Sequence, residues 1–106
     1  GPSMAYSVQV SRDANADIDE VLSYLAVKLS NLEAAKHLAD ELEHVYDQLS
    51  EHPRLYEQAR DPLLCQRGYR KVVVGNYVLL YLVDDDRQLV SIVRLFYGRR
   101  DYPNYI

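Results

Sequence analysis

The spacing of apolar residues changes from helical in the first half of the chain to strand-like in the second, which limits the fold more than any other feature. The pattern predicts one amphipathic helix over about residues 13–29 and a second that starts after Ser30-Asn31 and ends before Pro53. Because almost nothing separates them, the two helices should form an antiparallel hairpin. The apolar stripes comprise Ile18, Val21, Leu22, Leu25, Ala26 and Leu29 in the first helix, and Ala35, Leu38, Leu42, Val45 and Leu49 in the second.

Strand signals flank the predicted hairpin on both sides. A short strand over residues 5–10 precedes it, and Ser11 and Asp13 follow that strand as candidate N-caps of the first helix. Residues 52–67 have no clear period and predict a loop with a short turn. The remainder predicts three strands over residues 68–74, 77–83 and 89–97, with tight turns at Gly75-Asn76 and at residues 84–86.

This order of one strand, two helices and three strands indicates an α+β fold with two layers and a mostly antiparallel sheet. The hairpin should cover one face of the sheet, because neither helix can bury its apolar stripe alone. The first strand should pair beside the last, because tight turns already join the three strands of the second half. Gly1-Pro2-Ser3 is typical of a protease-cleavage scar from expression, which leaves residues 4–106 as one predicted domain.

Composition narrows the class of protein. The sequence shows no signal peptide and no apolar run long enough to span a membrane. Its single cysteine, Cys65, favours a reducing cytoplasm and a packing role.

The net charge is −4, but residues 1–65 hold 12 acids and 5 bases whereas residues 66–106 hold 4 acids and 7 bases. This asymmetry predicts that part of the surface meets an acidic partner, while the overall acidity disfavours a general nucleic-acid binder.

The densest group of chemically useful side chains surrounds the end of the last predicted strand, where Gly98 interrupts the apolar run. Arginine binds phosphate or carboxylate with a planar fork of donors. Tyrosine stacks on bases or anchors protein interfaces. We therefore take the following as candidate binding residues: Tyr97, Arg99, Arg100, Tyr102 and Tyr105.

Four segments together resemble toxins of the RelE/ParE superfamily, which belong to bacterial type II toxin–antitoxin pairs. They are Asp17-Ile-Asp-Glu-Val-Leu-Ser-Tyr-Leu25, Leu49-x-x-x-Pro53, Gly68-Tyr-Arg-Lys-Val-Val-Val-Gly-Asn-Tyr-Val-Leu-Leu-Tyr81 and Ile92-Val-Arg-Leu-Phe-Tyr-Gly-Arg-Arg-Asp-Tyr102. Their order and spacing cover nearly all of the chain. The resemblance implies the same α+β fold, a role in growth inhibition and plasmid stabilization, and no cofactor or metal.

The superfamily divides into two functional classes. RelE-like members are ribonucleases that cut messenger RNA on the translating ribosome, with arginines, lysines and a tyrosine or histidine around the scissile phosphate. ParE-like members lack that set and inhibit DNA gyrase through protein–protein contact. For both classes the resemblance implies a hetero-oligomer with a cognate antitoxin, whose extended or helical tail wraps the toxin. A non-toxic interaction module is a third alternative.

The resemblance carries over only part of the ribonuclease set. Arg100 matches an arginine after the last strand and Arg70 lies near a strand lysine, but Val72 and Val78 occupy two further basic positions. No histidine lies in the C-terminal half, arginine stays protonated, and an ordinary tyrosine has a pKa near ~10, so a general base is missing. The pattern favours gyrase inhibition. A ribonuclease would depend on these catalytic candidates: Arg70, Arg100, Tyr97 and Tyr102.

Simple structural roles compete with these functional ones for the arginines. Arg99 and Arg100 could be solvated charges that pair with Asp101 or with residues 84–86. Arg70 could be a solvent-facing or salt-bridged strand residue, on the opposite face from its two neighbours in the strand.

Structural roles also compete for two other groups. Tyr77 and Tyr81 share a strand face, which favours packing over base stacking. His37, Glu41 and His44 share a helix face that flanks the apolar stripe, but no second segment supplies metal ligands. We predict a solvated face there and no metal site.

Overall fold

The computed structural model describes residues 5–98. In chain order the elements are β1 (Ser7–Val10), α1 (Arg12–Ser23), a π-helical segment (Tyr24–Lys28), α2 (Leu32–Glu51), α3 (Pro62–Gln66), β2 (Arg70–Val74), β3 (Tyr77–Asp84) and β4 (Leu89–Tyr97). This order confirms the predicted α+β class. No helix within the described range is both long and apolar enough to cross a membrane.

Local capping signals start both helices of the hairpin. The Ser11 hydroxyl accepts a hydrogen bond from the Ala14 amide, and the Asn31 side chain accepts one from the Ala34 amide, both at 3.0 Å. Between the helices, Ser30 has a φ of 50°, in the left-handed region that reverses the chain. The predicted first helix corresponds to α1 together with the π-helical segment, whose wider turn the apolar spacing does not reveal.

The sheet has the strand order β1-β4-β3-β2. β1 runs parallel to β4 and the other pairs are antiparallel, so the predicted pairing of the first strand beside the last is confirmed. Gly75, in the turn between β2 and β3, has a φ of 59°, which glycine adopts without steric cost. A bulge between Leu80 and Tyr81 shifts the register of β3 against β4.

The main core lies between the helical hairpin and one face of the sheet, as predicted. The apolar stripe of α2 is buried, whereas α1 contributes partly buried side chains around Ala14. Tyr81 is fully buried in this layer and Tyr77 packs at its margin, so both have the predicted packing role. The buried members are Ala14, Leu38, Leu42, Val45, Leu49, Val72, Val74, Leu79, Tyr81, Val90, Ile92 and Leu95.

A second, smaller apolar layer covers the opposite face of the sheet, which the sequence did not predict. Part of the predicted loop folds into α3, which the Asp61 carboxylate caps by accepting the amides of Leu63 and Leu64 at 3.0 and 3.1 Å. The layer consists of Ala59, Leu64, Val78, Leu80 and Phe96, with Tyr69 at its margin. Residues 52–67 are therefore a structured cover for the sheet as well as a connection.

Side chains from α1 continue the hydrogen bonding along the edge of β4 beyond the end of β1. The Ser11 hydroxyl donates to the Val93 carbonyl at 2.9 Å. The Asp17 carboxylate accepts the Leu95 amide at 3.0 Å and the Arg94 guanidinium at 2.7 and 3.0 Å. Because Asp17 and Arg94 are mostly shielded from solvent, this bidentate pair fixes the position of α1 against the sheet.

A second carboxylate joins three distant parts of the chain. Asp85, in the turn between β3 and β4, accepts both ends of the Arg54 guanidinium at 2.9 and 2.6 Å and the Tyr6 hydroxyl at 2.7 Å. The hydrogen bonds from Arg54 and then Tyr6 lower the pKa of Asp85. The acidic turn was predicted, but its partners were not.

Candidate functional site

Two tyrosines form a cross-strand pair where β3 begins and β4 ends. Tyr77 and Tyr97 lie directly opposite each other in the register, with ring centroids 5.9 Å apart and ring planes at 71°. The amide of Gly98 donates to the Asn76 carbonyl at 2.8 Å, which holds the end of β4 beside the turn between β2 and β3. The pair therefore sits on hydrogen-bonded strand backbone.

Tyr24, from the π-helical segment, brings a third phenol to this end of the molecule. Burial raises the pKa of Tyr77, and the neighbouring phenols of Tyr97 and Tyr24 raise it further. Tyr77 therefore stays protonated at neutral pH and cannot act as a general base. Tyr24 is 48% exposed and Tyr97 is 43% exposed, so both rings present apolar area to solvent. We call Tyr24, Tyr77 and Tyr97 the aromatic face.

Sequence reasoning identified Tyr97 as a candidate binding residue and Tyr77 as a packing residue, but it missed Tyr24. The available signal was that Tyr24 lies off the apolar stripe of its helix and still carries a large apolar ring. Four other candidates, namely Arg99, Arg100, Tyr102 and Tyr105, lie outside the described residues.

Arg70 lies in β2 at the other end of the sheet. Its guanidinium donates to the Tyr56 carbonyl at 2.8 Å, and the side chain is half-buried. Arg70 is in register with Tyr81, whereas Tyr97 is in register with Tyr77. Tyr77 and Tyr81 are four residue steps apart along β3, which corresponds to about 13 Å, so Arg70 and Tyr97 do not share one site.

The two positions at which RelE-like ribonucleases place strand cations are buried and apolar in this chain. Val72 is 6% exposed and faces the helical hairpin, whereas Val78 is 7% exposed in the opposite layer. A cation in either position would have to lose its hydration without a carboxylate partner, which is strongly unfavourable.

Residues 5–98 offer no group of three or more histidine, cysteine, aspartate or glutamate side chains that could hold a metal ion. His37 pairs with Glu41 on the exposed face of α2. The Cys65 thiol is half-buried and lies 3.5 Å from the side-chain oxygen of Gln58. Among the described residues, the most exposed group of aromatic side chains at this end of the sheet is thus the aromatic face.

The family model described as ParE toxin of the type II toxin–antitoxin system, parDE, matches residues 8–102. The chain belongs to the ParE toxin family. No curated protein matches the sequence, so the ParE assignment depends on the family model and agrees with the fold.

Solved structures of ParE and RelE type share this fold. A chain of the chromosomal ParDE system of P. aeruginosa superposes with a TM-score of 0.69 at 18% identity, covering 90% of this chain and 98% of that one. A chain of the RelBE2 toxin–antitoxin complex of Mycobacterium tuberculosis gives 0.61 at 24% identity, with 88% and 91% coverage. A chain of the intact E. coli RelBE complex gives 0.55 at 18% identity, with 91% and 100% coverage. At these identities the similarity establishes the fold alone.

Proposed function

We propose that this ParE-family chain inhibits DNA gyrase by protein–protein contact and that a cognate antitoxin neutralises it. The family match over residues 8–102 supports the ParE class. Three similar solved chains come from systems described as ParDE or RelBE, which supports a partner of the antitoxin type.

The observation that carries the choice of gyrase over messenger RNA is the burial of Val72 and Val78 in the two basic strand positions of the ribonuclease set. Cleavage of a phosphodiester by the ribose 2′-hydroxyl needs a base, an acid and cations at the equatorial oxygens. Among the described residues, the candidates Arg70 and Tyr97 lie about 13 Å apart along the sheet, and Arg70 is bonded to the Tyr56 carbonyl, so these groups do not converge.

The aromatic face is the surface that we propose for the target. Exposed tyrosines supply large contact area at small cost in side-chain entropy, and tyrosine and arginine are enriched among the residues that dominate binding energy. In the sequence, Arg99 and Arg100 follow Tyr97 after a single glycine. The acidic partner that the charge asymmetry predicts would meet those arginines.

The direct test is a supercoiling assay with purified gyrase, relaxed plasmid and the purified chain, without ribosomes. We expect inhibition at micromolar protein, and recovery when the product of the adjacent short reading frame is added. Specific messenger RNA cleavage at ribosomal A sites, with supercoiling unaffected, would contradict the proposal. In that case Arg100→Ala would be the variant expected to abolish cleavage.

Variants of the aromatic face locate the contact. We expect Tyr24→Ala and Tyr97→Ala each to raise the concentration needed for half-inhibition about tenfold or more, because each removes an exposed ring from the interface. Leu63→Ala is the matched control, since Leu63 is 50% exposed on α3 and remote in the fold. Thermal melts establish that all three variants fold. Equal inhibition by all of them would exclude the aromatic face as the contact surface.

A further inference from the structure

Two side chains set the direction of α1 along the part of β4 that β1 does not reach. The Ser11 hydroxyl donates to the Val93 carbonyl at 2.9 Å, and the Asp17 carboxylate accepts the Leu95 amide at 3.0 Å. From the first contact to the second the residue numbers rise in both elements, so α1 advances along β4 toward the end of that strand. Tyr97 lies two residues beyond Leu95, which is about 7 Å further along the strand.

The regular helix continues from Asp17 to Tyr24. The Tyr24 amide donates to the carbonyls of Glu20 and Val21, and the wider π-helical turn begins only at Tyr24. Over the interval from Asp17 to Tyr24 an α-helix rotates by about 700° and rises by about 10 Å, which is close to two full turns. The side of α1 that Asp17 turns toward β4 is therefore the side that carries Tyr24.

The link at Asp17 combines a charged fork with a backbone bond. One carboxylate oxygen accepts the Nε of Arg94 at 2.7 Å and the Leu95 amide at 3.0 Å, and the other oxygen accepts a terminal nitrogen of Arg94 at 3.0 Å. The side chains of Asp17 and Arg94 are only 15% and 23% exposed, so solvent screens the pair weakly. The guanidinium carbon also lies 5.1 Å from the centre of the Phe96 ring. These contacts hold α1 at a defined position against β4.

The aromatic face depends on that position for one of its three rings. Tyr77 and Tyr97 are held by strand pairing, whereas Tyr24 joins them from the helical layer. Burial, and then the phenols of Tyr97 and Tyr24, raise the pKa of Tyr77, which places Tyr24 close to the strand pair. Because the Tyr24 side chain is 48% exposed, the backbone of α1 contributes much of what determines where the ring lies.

We propose that Asp17, together with Arg94, is a positioning residue for the target contact, because it holds α1 against β4 so that Tyr24 completes the aromatic face. Asp17 is shielded from solvent, so it acts through Tyr24 and not by contact with the target. The inference rests on the proposed function, which assigns the aromatic face to gyrase. It adds the pair of residues that sets the geometry of that surface.

The first test is a double-mutant cycle between Asp17 and Tyr24 in the supercoiling assay. We expect Asp17→Ala to raise the concentration needed for half-inhibition about fivefold or more in the wild-type chain, but about twofold or less in the Tyr24→Ala chain. The second effect is small because the ring that Asp17 positions is already absent. Equal effects in both chains would show that Asp17 acts through stability or another surface, and would overturn the inference.

Asp85→Ala is the matched control for the loss of a bidentate carboxylate. Asp85 accepts a fork of hydrogen bonds from Arg54 and one further bond from Tyr6, but it follows the end of β3 that is opposite the aromatic face. We expect this variant to leave half-inhibition unchanged. An increase as large as that of Asp17→Ala would mean that the loss of any such pair weakens inhibition, which would contradict a positioning role.

Asp17→Asn is the conservative variant. Its amide oxygen can still accept the Leu95 amide, but the fork to Arg94 loses its charge, so we expect inhibition between that of the wild type and that of Asp17→Ala. Thermal melts establish which variants fold. If Asp17→Ala does not fold, Asp17→Asn takes its place in the cycle, with the same requirement that its effect disappears in the Tyr24→Ala chain.

A spectroscopic test needs no gyrase. An aromatic ring shifts the NMR resonances of protons near it, so Tyr24→Ala should move the ring signals of Tyr77. We expect this movement in the wild-type and Asp85→Ala backgrounds, and a much smaller one in the Asp17→Ala or Asp17→Asn background, where Tyr24 has already left its position.

The outcomes separate the two proposals. If the wild-type chain leaves supercoiling unaffected, the proposed function fails, and the Tyr77 signals still decide whether Asp17 positions Tyr24. If the wild type inhibits gyrase but Tyr24→Ala moves the Tyr77 signals equally in every background, Asp17 does not position Tyr24. In that case this inference fails and the proposed function stands.

Discussion

At the scale of single residues, polar groups hold distant parts of the chain together through partners that are far apart in sequence. Asp17 joins α1 to β4 through Arg94 and the Leu95 amide, and Asp85 joins a turn to Arg54 and Tyr6. A carboxylate in the sequence indicates none of these pairings, because the partner depends on the assembled fold.

Tyr81 is the contrasting case of a buried polar group. Its side chain is fully buried, and its hydroxyl makes no hydrogen bond of good geometry among the described residues, although the nearby backbone of Tyr56 opposes part of the rise in its pKa. Desolvation raises the pKa of Tyr81 to about 12. In the unfolded chain the phenol ionises near ~10, so the folded chain keeps its proton where the unfolded chain loses it. The contribution of Tyr81 to the free energy of unfolding is therefore fully present below about pH 10 and is lost as the pH rises toward about 12.

We expect Tyr81→Phe to keep the free energy of unfolding at neutral pH, or to raise it by up to about 1 kcal/mol, because it removes a buried hydroxyl that makes no hydrogen bond of good geometry. The variant should also lose less stability than the wild type between about pH 9 and about pH 11. Urea unfolding across this range measures both effects, with the exposed-ring variant Tyr24→Phe as control. A loss above about 2 kcal/mol at neutral pH would mean that the hydroxyl makes a stabilising bond.

At the scale of elements, Ser11 connects a helix and a strand. Its hydroxyl accepts the Ala14 amide as the N-cap of α1 and donates to the Val93 carbonyl of β4. Asn31 caps α2 through the Ala34 amide and makes no bond to the sheet among those described. Ser11 therefore makes one side-chain interaction that Asn31 lacks, the bond to the Val93 carbonyl of β4.

We expect Ser11→Ala to lower the free energy of unfolding by about 2 kcal/mol and Asn31→Ala by about 1 kcal/mol. The difference arises because Ser11→Ala also leaves a strand carbonyl without its donor. Chemical denaturation of both variants provides the comparison, and each serves as the control for the other. Equal losses would show that the bond to β4 contributes no stability.

The elements also show why the sequence predicted one layer and missed the other. Caps, apolar stripes and the Gly75-Asn76 turn act over a few residues, so the hairpin and the strands were predictable. The second layer forms through non-local bonds such as that from the Ala59 amide to the Tyr69 carbonyl, and residues 52–67 carry no period that would indicate them. Tyr24 was missed for the same reason, since its neighbours Tyr77 and Tyr97 come from distant strands.

At the scale of the whole molecule, a sheet covered on both faces supports the aromatic face. This face lies where β4 ends, in the row of the sheet that joins Val74, Tyr77 and Tyr97. We propose that this surface meets the target.

The most direct test of gyrase inhibition is pulse labelling after induction of the chain in bacterial cells, with thymidine and methionine incorporation followed side by side. Gyrase inhibition predicts that thymidine incorporation falls first while methionine incorporation continues, and that the Tyr97→Ala variant loses this effect. An early collapse of methionine incorporation with thymidine incorporation intact would contradict gyrase inhibition and indicate messenger RNA cleavage. Unchanged incorporation of both would show that the chain is not a toxin in those cells.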